Sequence, residues 1–564
     1  MHVRVRSNAT GTKTIYLIDS FRVAGKKSSS SRMIRCFGSS DDQSVLDQWI
    51  ADANILKSQL EKQSFNRNNF IQIKSESDIT DCESKTIGVG YFYKSIYEKT
   101  FAKLKLTGVN GETLANLVTM RLVQPLSKLR TAKVANDYGI EQLSINKIYK
   151  MMDALDDDNI AKIKKYVFNN SKSLLAGQRL RVLFYDLTTI YFEANTTSEL
   201  KEFGYSKDGK SQHVQISLAM IVTDGGLPLG YEIFKGNSFE GHTLIPTLNK
   251  LKEEYKINDI TIVADSAMLS NQNIVALEQN GYKYIVAARV KNIDAATTAK
   301  LLDNAGYIDL NIATANHDKD DRLKYKIIDL AKKPKDDNSN NSNGNTIRNL
   351  IACYSDSRKR KDEYDRIKTL NRINKIVGKT AKSQLRSVLN KPYVDTSVES
   401  GSNGTKAQEK GKEAEIIVLN EKKLAEATRL EGYFGYITNT TLSPSEVMAQ
   451  YKGLWQVEQT FRITKHNLEI RPVYHFVDRR IKAHFAICYL SLALLRTVET
   501  KLRRANQYVP IEELHAILEK IHQVDLTIGE TKCKITTATK TDLVAKVFAS
   551  LDIALPKHVQ LTSI

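Results

Sequence analysis

Apolar and polar positions alternate with different periods along the chain. Up to about residue 95 the pattern is mixed, with a short β-like run at 14–18 and a helical stretch at 44–62. From 97 to 167 apolar residues recur at three- and four-residue spacing, the period of amphipathic helices. The section from 179 to 291 is the most legible. RVLFYDLTTIYF (181–192) is β-branched and aromatic and reads as a buried strand. HVQISLAMIVT (213–223) and PLGYEIF (228–234) give two more, joined through the turn Asp224-Gly225-Gly226. A helical period at 243–255 precedes a fourth strand, DITIVA (259–264), which runs into Asp265. A helix at 271–279, stopped by Gly281, leads to a fifth strand, YKYIVAARV (282–290). The order β-β-β-α-β-α-β is that of a ribonuclease-H-like α/β core.

Beyond 291 the pattern breaks up. PKDDNSNNSNGNT and VESGSNGTKAQEKGK read as polar loops, 355–390 as a highly charged helical stretch, and 432–438 as a strand. A long helix is expected at 443–465, capped by Ser445 or Ser443, and the remainder to 564 reads as mainly helical and basic. The most apolar stretch, 486–495, is too short to span a bilayer and reads as a buried helix.

Within the helical N-terminal half, KVANDYGIEQLSINKIYKMMDAL resembles a helix-turn-helix. Residues 133–138 form its first helix, Gly139 its left-handed turn, and Ser144 caps a second helix through Ile145, Ile148, Met152 and Leu155. That second helix would offer Asn146, Lys147 and Lys150 to a major groove. A packed helical hairpin that touches no DNA is the competing reading.

Composition changes one thing. Hydrophobic residues make up 41% and charged residues 26%, as in ordinary globular proteins, but 83 Lys and Arg face 64 Asp and Glu, a formal charge of +19. Such an excess suits a polyanionic partner, because basic faces release counterions from phosphates. The five cysteines lie far apart without a CxxC pair, which argues against a zinc knuckle or disulfide framework and fits a reducing cytoplasm. At 564 residues several domains are expected.

Three acids stand out. Asp186 sits within an apolar strand, where a carboxylate is costly unless paired or bound to metal. Asp265 ends the fourth strand, where α/β sheets place ligand-binding groups. On neighbouring strands the two would face one cleft, and a divalent cation would relieve their repulsion. A misplaced strand boundary at Asp186 and an N-cap role for Asp265 are the plainer alternatives. Tyr451, Glu458 and Lys465 recur every seven residues, about 700° of helical turn, so they line one face. Phe461 and Arg462 flank it, and a surface ion pair between Glu458 and Arg462 fits the same spacing.

The motifs FYDLTTIYFE, FGYSKDGKSQHVQISLAMIV, GLPLGYEIFKGNSFEGHT, IVADSAMLSNQNI and YKGLWQVEQTFRITKHNLEIRPVYH, in that order, resemble the DDE transposases of bacterial insertion sequences. The closest subgroup carries a large insertion between the second Asp and the Glu. The resemblance covers roughly 183–495 and matches Asp186, Asp265 and Glu458 to the catalytic, metal-holding triad. It implies two Mg²⁺ (or Mn²⁺) ions, strand cleavage at transposon ends, strand transfer into target DNA, and a homodimer on double-stranded DNA that pairs two terminal inverted repeats. Tyr451 and Lys465 fit the family's helix signature, whose Arg position is Leu454 here; Lys452 or Arg462 stands near enough to substitute. Trp455 is a candidate to hold a flipped base, against a plain core role. Arg471, Arg479, Arg480 and Lys482 are candidate backbone contacts.

The expected organisation is multidomain α+β: a mixed region (1–95), a helical, helix-turn-helix-like DNA-binding region (96–178), a split ribonuclease-H-like core (179–291 and 441–500), an insertion (292–440) and a basic helical C-terminal region (501–564). A nuclease that joins nothing and a non-catalytic DNA-binding derivative are the rival functions.

Overall fold

The computed structural model describes the chain outside residues 1, 9–10, 22–29, 64–78, 142, 177–179, 194–195, 205–211, 239–242, 256–259, 266–270, 311–321, 331–347, 376, 378–392, 399–414, 471–472, 529–530, 538–541 and 564. Nearly all of both expected polar loops and parts of four motifs, Arg471 among them, lie outside the described residues.

Two compact units emerge. One comprises 1–83, 525–535 and 559–564. In it the strands His2–Ser7, Lys13–Phe21 and Ser30–Ser40 form an antiparallel sheet, and the helix Gln43–Gln63 buries Leu46 and Ala53 against Ile15. The C-terminal region, expected to be mainly helical, holds the helices Ile511–Leu518 and Asp542–Ser550 and also strands at His522–Ile528, Thr531–Thr537 and Val559–Ser563. In TKCKITT the β-branched Thr531, Ile535, Thr536 and Thr537 favour a strand despite the lysines among them.

The other unit, 84–524 and 536–558, is built on a nine-stranded sheet. Its strands are β1 (Val182–Tyr191), β2 (Gln215–Val222), β3 (Pro228–Lys235), β4 (Thr261–Ala264), β5 (Lys283–Ala287), β6 (Ile308–Asp309), β7 (Leu323–Asp329), β8 (Asn349–Ser355) and β9 (Tyr433–Thr438). They lie in the order β6-β7-β8-β9-β5-β4-β1-β2-β3. The first three pair antiparallel, whereas β1, β4 and β5 run parallel, as the sequence pattern predicts. The stretch 292–440 extends the same sheet: β6 to β9 continue it antiparallel beyond β5.

Helices cover the sheet. They include α1 (Gly111–Val123), α2 (Lys128–Val134), α3 (Ile145–Asp153), α4 (Asp157–Ser173), α5 (Leu244–Tyr255), α6 (Asn271–Gln279), α7 (Pro444–Lys452), α8 (Trp455–Arg462) and α9 (Asp478–Arg504). The helix α9 is the hub of the larger core. It is long and apolar enough to cross a membrane, yet 94% of its apolar window is buried inside the protein. Around the helix-turn-helix candidate, α2 tightens into a 3₁₀ turn at Ala135–Tyr138. Gly139 then adopts φ +74°, the left-handed region that glycine enters without penalty. Ser144 caps α3, its hydroxyl accepting from the Lys147 amide at 3.3 Å. α3 buries Ile148, Met151 and Met152 and leaves Asn146, Lys147 and Lys150 exposed. Leu155 falls just past its end.

The long helix expected at 443–465 is broken. Ser443 and Glu446 form a capping box at the start of α7, which ends at Lys452. At Gly453 a Cβ would come within 2.5 Å of the Phe184 ring of β1, so only glycine lets the chain pass this close to the sheet. Here the amides of Gln456 and Val457 bond three residues back, at 3.0 and 3.1 Å, before α8 resumes. α8 then widens into a π-helical turn, Ile463–Asn467.

The basic residues at the start of α9 are engaged within the fold. Arg480 grips Asp153 with two hydrogen bonds of 2.7 Å, stacks on the Tyr149 ring at 4.6 Å, and holds the Asp153 carboxyl below its usual range. Arg479 joins it at 3.2 Å, and Lys482 pairs with Asp157 at 2.9 Å. These three side chains therefore fasten α9 to α3 and α4.

Two outcomes follow for denaturant unfolding. Gly453→Ala forces the helix junction off β1 and is expected to cost about 1–3 kcal/mol, the range for overpacking a tight site. Arg480→Ala strands Asp153 and is expected to cost about 1–2 kcal/mol once solvent screening is allowed for; an unchanged midpoint for either variant would contradict these contacts.

Candidate active site

The site begins with the register of two strands. β1 and β4 pair in parallel with Val182 opposite Thr261 and Tyr185 opposite Ala264. Extending that register by one residue sets Asp186 abreast of Asp265, at the usual interstrand separation of about 4.8 Å between backbones. The faces agree as well. Leu183, Tyr185 and Leu187 of β1, with Ile262 and Ala264 of β4, pack into the core under α5 and α6. Phe184 and Ile190 of β1, with Val263 of β4, point into the opposite core, which Val457, Phe461 and α9 complete. By the two-residue alternation of strands, Asp186 and Asp265 both project toward that second side, where α8 lies. Asp186 is half-buried, and one of its oxygens accepts the Leu187 amide at 2.7 Å. Asp265, one step past the end of β4, is exposed.

Two aromatic residues shape the rim beside Asp265. Tyr451, near the end of α7, reaches Oδ1 of Asp265 with its hydroxyl in a long hydrogen bond of 3.4 Å. Its ring packs on Tyr436 of β9, with centroids 4.8 Å apart. Burial first, then the negative charge of Asp265 and more weakly that of Glu458, push the Tyr451 hydroxyl well above its ordinary pKa. Tyr451 therefore stays protonated at neutral pH and acts as a donor. The hydrogen bond ties α7 to the end of β4.

Glu458 lies on α8. Val457, Thr460 and Phe461 are buried against the sheet, and Trp455, Glu458 and Arg462 share the exposed side. α8 is fixed from behind by Arg496 of α9, which donates to the Thr460 hydroxyl at 3.1 Å and pairs with Glu499 at 2.7 Å. Sequence reasoning missed this anchor. Its signal was present: an arginine following the apolar run 486–495 needs a buried partner. Among the described residues no ion pair joins Glu458 to Arg462, so the surface-pair alternative is not what the structure adopts. Trp455 is 52% exposed, against the plain core role weighed for it. Lys465 sits half-buried in the π-turn. Asn146, Lys147 and Lys150 belong to α3, a separate element packed on α9.

Asp186 and Asp265 offer hard oxygen donors side by side, which suits a divalent cation such as Mg²⁺. Among the described residues, however, no group of three or more His, Cys, Asp or Glu is close enough to hold a metal ion. Glu458 lies on the exposed side of α8 and does not close the pair into such a group.

Comparison with known proteins bears on what this arrangement is. Residues 177–494 match the family described as "Transposase DDE domain". Among solved structures, a piggyBac transposase synaptic complex with hairpin DNA is similar at 9% identity and a TM-score of 0.33, over 77% of this chain and 78% of that chain. A Mos1 transposase paired-end complex with left transposon end is similar at 8% identity and a TM-score of 0.14, over 42% of this chain and 66% of that chain. Likenesses this distant leave the assignment to the family match. No curated protein matches the sequence. That match spans more than half of the 564 residues and contains all three acids, so the chain belongs to the transposases with a DDE domain, DNA-cleaving and strand-transferring enzymes that generally use divalent metal ions.

Proposed function

We infer that the chain cuts double-stranded DNA at the terminal inverted repeats of a transposable element and joins the freed 3′-ends to target DNA. Asp186, Asp265 and Glu458 are its catalytic acids. The observation that carries this reading is the parallel register of β1 and β4, which, extended one residue past Tyr185 and Ala264, brings Asp186 and Asp265 abreast. The strand order and connections, three antiparallel strands followed by two parallel ones with helical crossovers, support a ribonuclease-H-like core interrupted between Asp265 and Glu458. On this reading 179–291 and 441–500 form the core, 292–440 is the interruption, and 96–178 and 501–564 flank it.

The three acids would hold two Mg²⁺ or Mn²⁺ ions, which supply water activation and charge stabilisation at the attacking and leaving oxygens. The chain's own residues orient the strand. Tyr451, kept protonated beside Asp265, donates to a phosphate oxygen or holds that carboxylate in place. Arg462, on the exposed side of α8 with Glu458, and Lys465, one turn further, draw the backbone toward the acids. Trp455, exposed on the same helix, offers a stacking face to an unpaired base. Asn146, Lys147 and Lys150 of α3 contact duplex DNA away from the acids. A homodimer would synapse two ends.

Two measurements test the reading. Asp186→Asn, Asp265→Asn and Glu458→Gln are each expected to abolish cleavage and joining, by about a thousandfold or more, while duplex affinity stays within about threefold. Pre-cut ends separate a transposase from a nuclease, since only the former joins them to target DNA. Chelation by EDTA is expected to stop both steps and excess Mg²⁺ to restore them; wild-type turnover in EDTA, or by any one of the three variants, would overturn the assignment.

A further inference from the structure

A second site lies away from the acids. A cleft of about 470 Å³ opens between the turn that enters α2 and the loop that leads from the π-turn toward α9. Its inner wall is cationic and deeply buried. Lys128 is 4% exposed and Arg121 6%. The Lys128 ammonium lies 3.2 Å from Nδ1 of His484, whose other nitrogen is 3.0 Å from the Ile470 carbonyl. Arg121 donates to the Leu468 carbonyl at 3.4 Å. His475 lies against His484, ring centroids 5.5 Å apart, and Arg130 stands exposed at the mouth.

This cluster lacks counter-charge. Among the described residues no carboxylate pairs with Lys128, Arg121 or Arg130, and the only acid on the wall is exposed Glu469. Leaving cations buried without an anion is expensive. The consequences are visible in the neighbours: burial and then Arg121 depress the Lys128 pKa, while burial, Lys128 and Arg121 lower that of His475 to about 3. A closed hydrophobic core would not line an open cleft with such groups. Two features of the walls suit a nucleic-acid strand. Tyr149 belongs to α3, which carries exposed Asn146, Lys147 and Lys150, and Tyr474 stands 61% exposed.

We propose that this cleft binds a phosphate group, supplied by a DNA strand, with Lys128 and Arg130 donating to its oxygens and Arg121 providing charge from behind. The proposal rests on the DNA reading above only for the source of the phosphate; free phosphate offers the same chemistry. The bound anion would supply the missing counter-charge, and it would extend the track of α3 into the body of the protein.

The test compares the full chain with Lys128→Met, which keeps the length of the stem and removes the charge, and Arg130→Ala, an exposed position. Pyrophosphate binding is measured by calorimetry and duplex DNA binding by anisotropy, both at fixed ionic strength. Pyrophosphate affinity is expected to fall about tenfold in Lys128→Met and about threefold in Arg130→Ala. Melting of ligand-free Lys128→Met should be unchanged or higher, because a buried uncompensated charge has gone. If duplex affinity falls in parallel and its salt slope drops by about one, the phosphate belongs to DNA; if only pyrophosphate binding falls, free phosphate is the ligand. Equal affinities of all three proteins for both probes overturn the proposal, as does a lower melting temperature with unchanged binding. Neither readout involves strand cutting, so a failure of the catalytic triad would leave it untouched.

Discussion

The parallel pairing of β1 with β4 is the constraint on which the site depends. A parallel pair cannot be closed by a tight turn; its connection must leave the sheet and return. Here that path takes β2, β3 and α5, and its return strand is only four residues long. β4 is buried throughout, so its first exposed residue is Asp265. The carboxylate that would be costly one position earlier reaches solvent at the strand's end. Because the register is fixed by the burial of Leu183, Tyr185, Ile262 and Ala264 on one side and of Phe184 and Val263 on the other, the adjacency of Asp186 and Asp265 is a by-product of core packing. A slip of one residue would turn both acids' neighbours into solvent and is strongly disfavoured.

The third acid is placed by a different device. α8 approaches β1 because Gly453 carries no side chain where the chain grazes Phe184, and because the helix changes direction there. Arg496 then holds α8 from the side of α9 through Thr460. A buried arginine contributes little net stability once desolvation is counted, even when paired with Glu499. What it adds is position: its guanidinium bonds a hydroxyl on the buried face of α8, and Glu458 occupies the other face. The π-turn after α8 shifts the helical phase, so Lys465 is half-buried instead of aligned with Glu458 in the open.

How much of this was legible follows from the range of each signal. Strand runs such as RVLFYDLTTIYF announce themselves through β-branched and aromatic residues, and the order of five strands sufficed to make Asp186 and Asp265 neighbours. Glu458 rested on resemblance, since a seven-residue spacing fits a surface ion pair equally well. The break at Gly453 was hidden because glycine inside a helical period lowers propensity without stating a direction. For Trp455 residue type left two readings open and phase decides its exposure, for positions 455, 458 and 462 fall opposite buried 457, 460 and 461. The C-terminal strands were masked by lysines in TKCKITT, whose charge reads as helical surface although its β-branched residues form a strand.

Charge shows the same limit more sharply. A formal +19 reads as a broad electrostatic attraction for phosphate. In the fold, some of the basic side chains are already paired: Arg480 with Asp153, Lys482 with Asp157, and Arg348 with Glu278 at 2.6 Å. These partners lie 327, 325 and 70 residues away in sequence, so no local pattern reveals them. DRRIKAH looks like a phosphate-binding run, and its Arg480 and Lys482 fasten α9 to α3 and α4. KLR, at 128–130, carries less apparent charge and yet, among the described residues, leaves Lys128 buried without a carboxylate. The affinity of a basic protein for phosphate is thus governed by where cations remain uncompensated, and that is decided by tertiary pairing after the local sequence has fixed the helices.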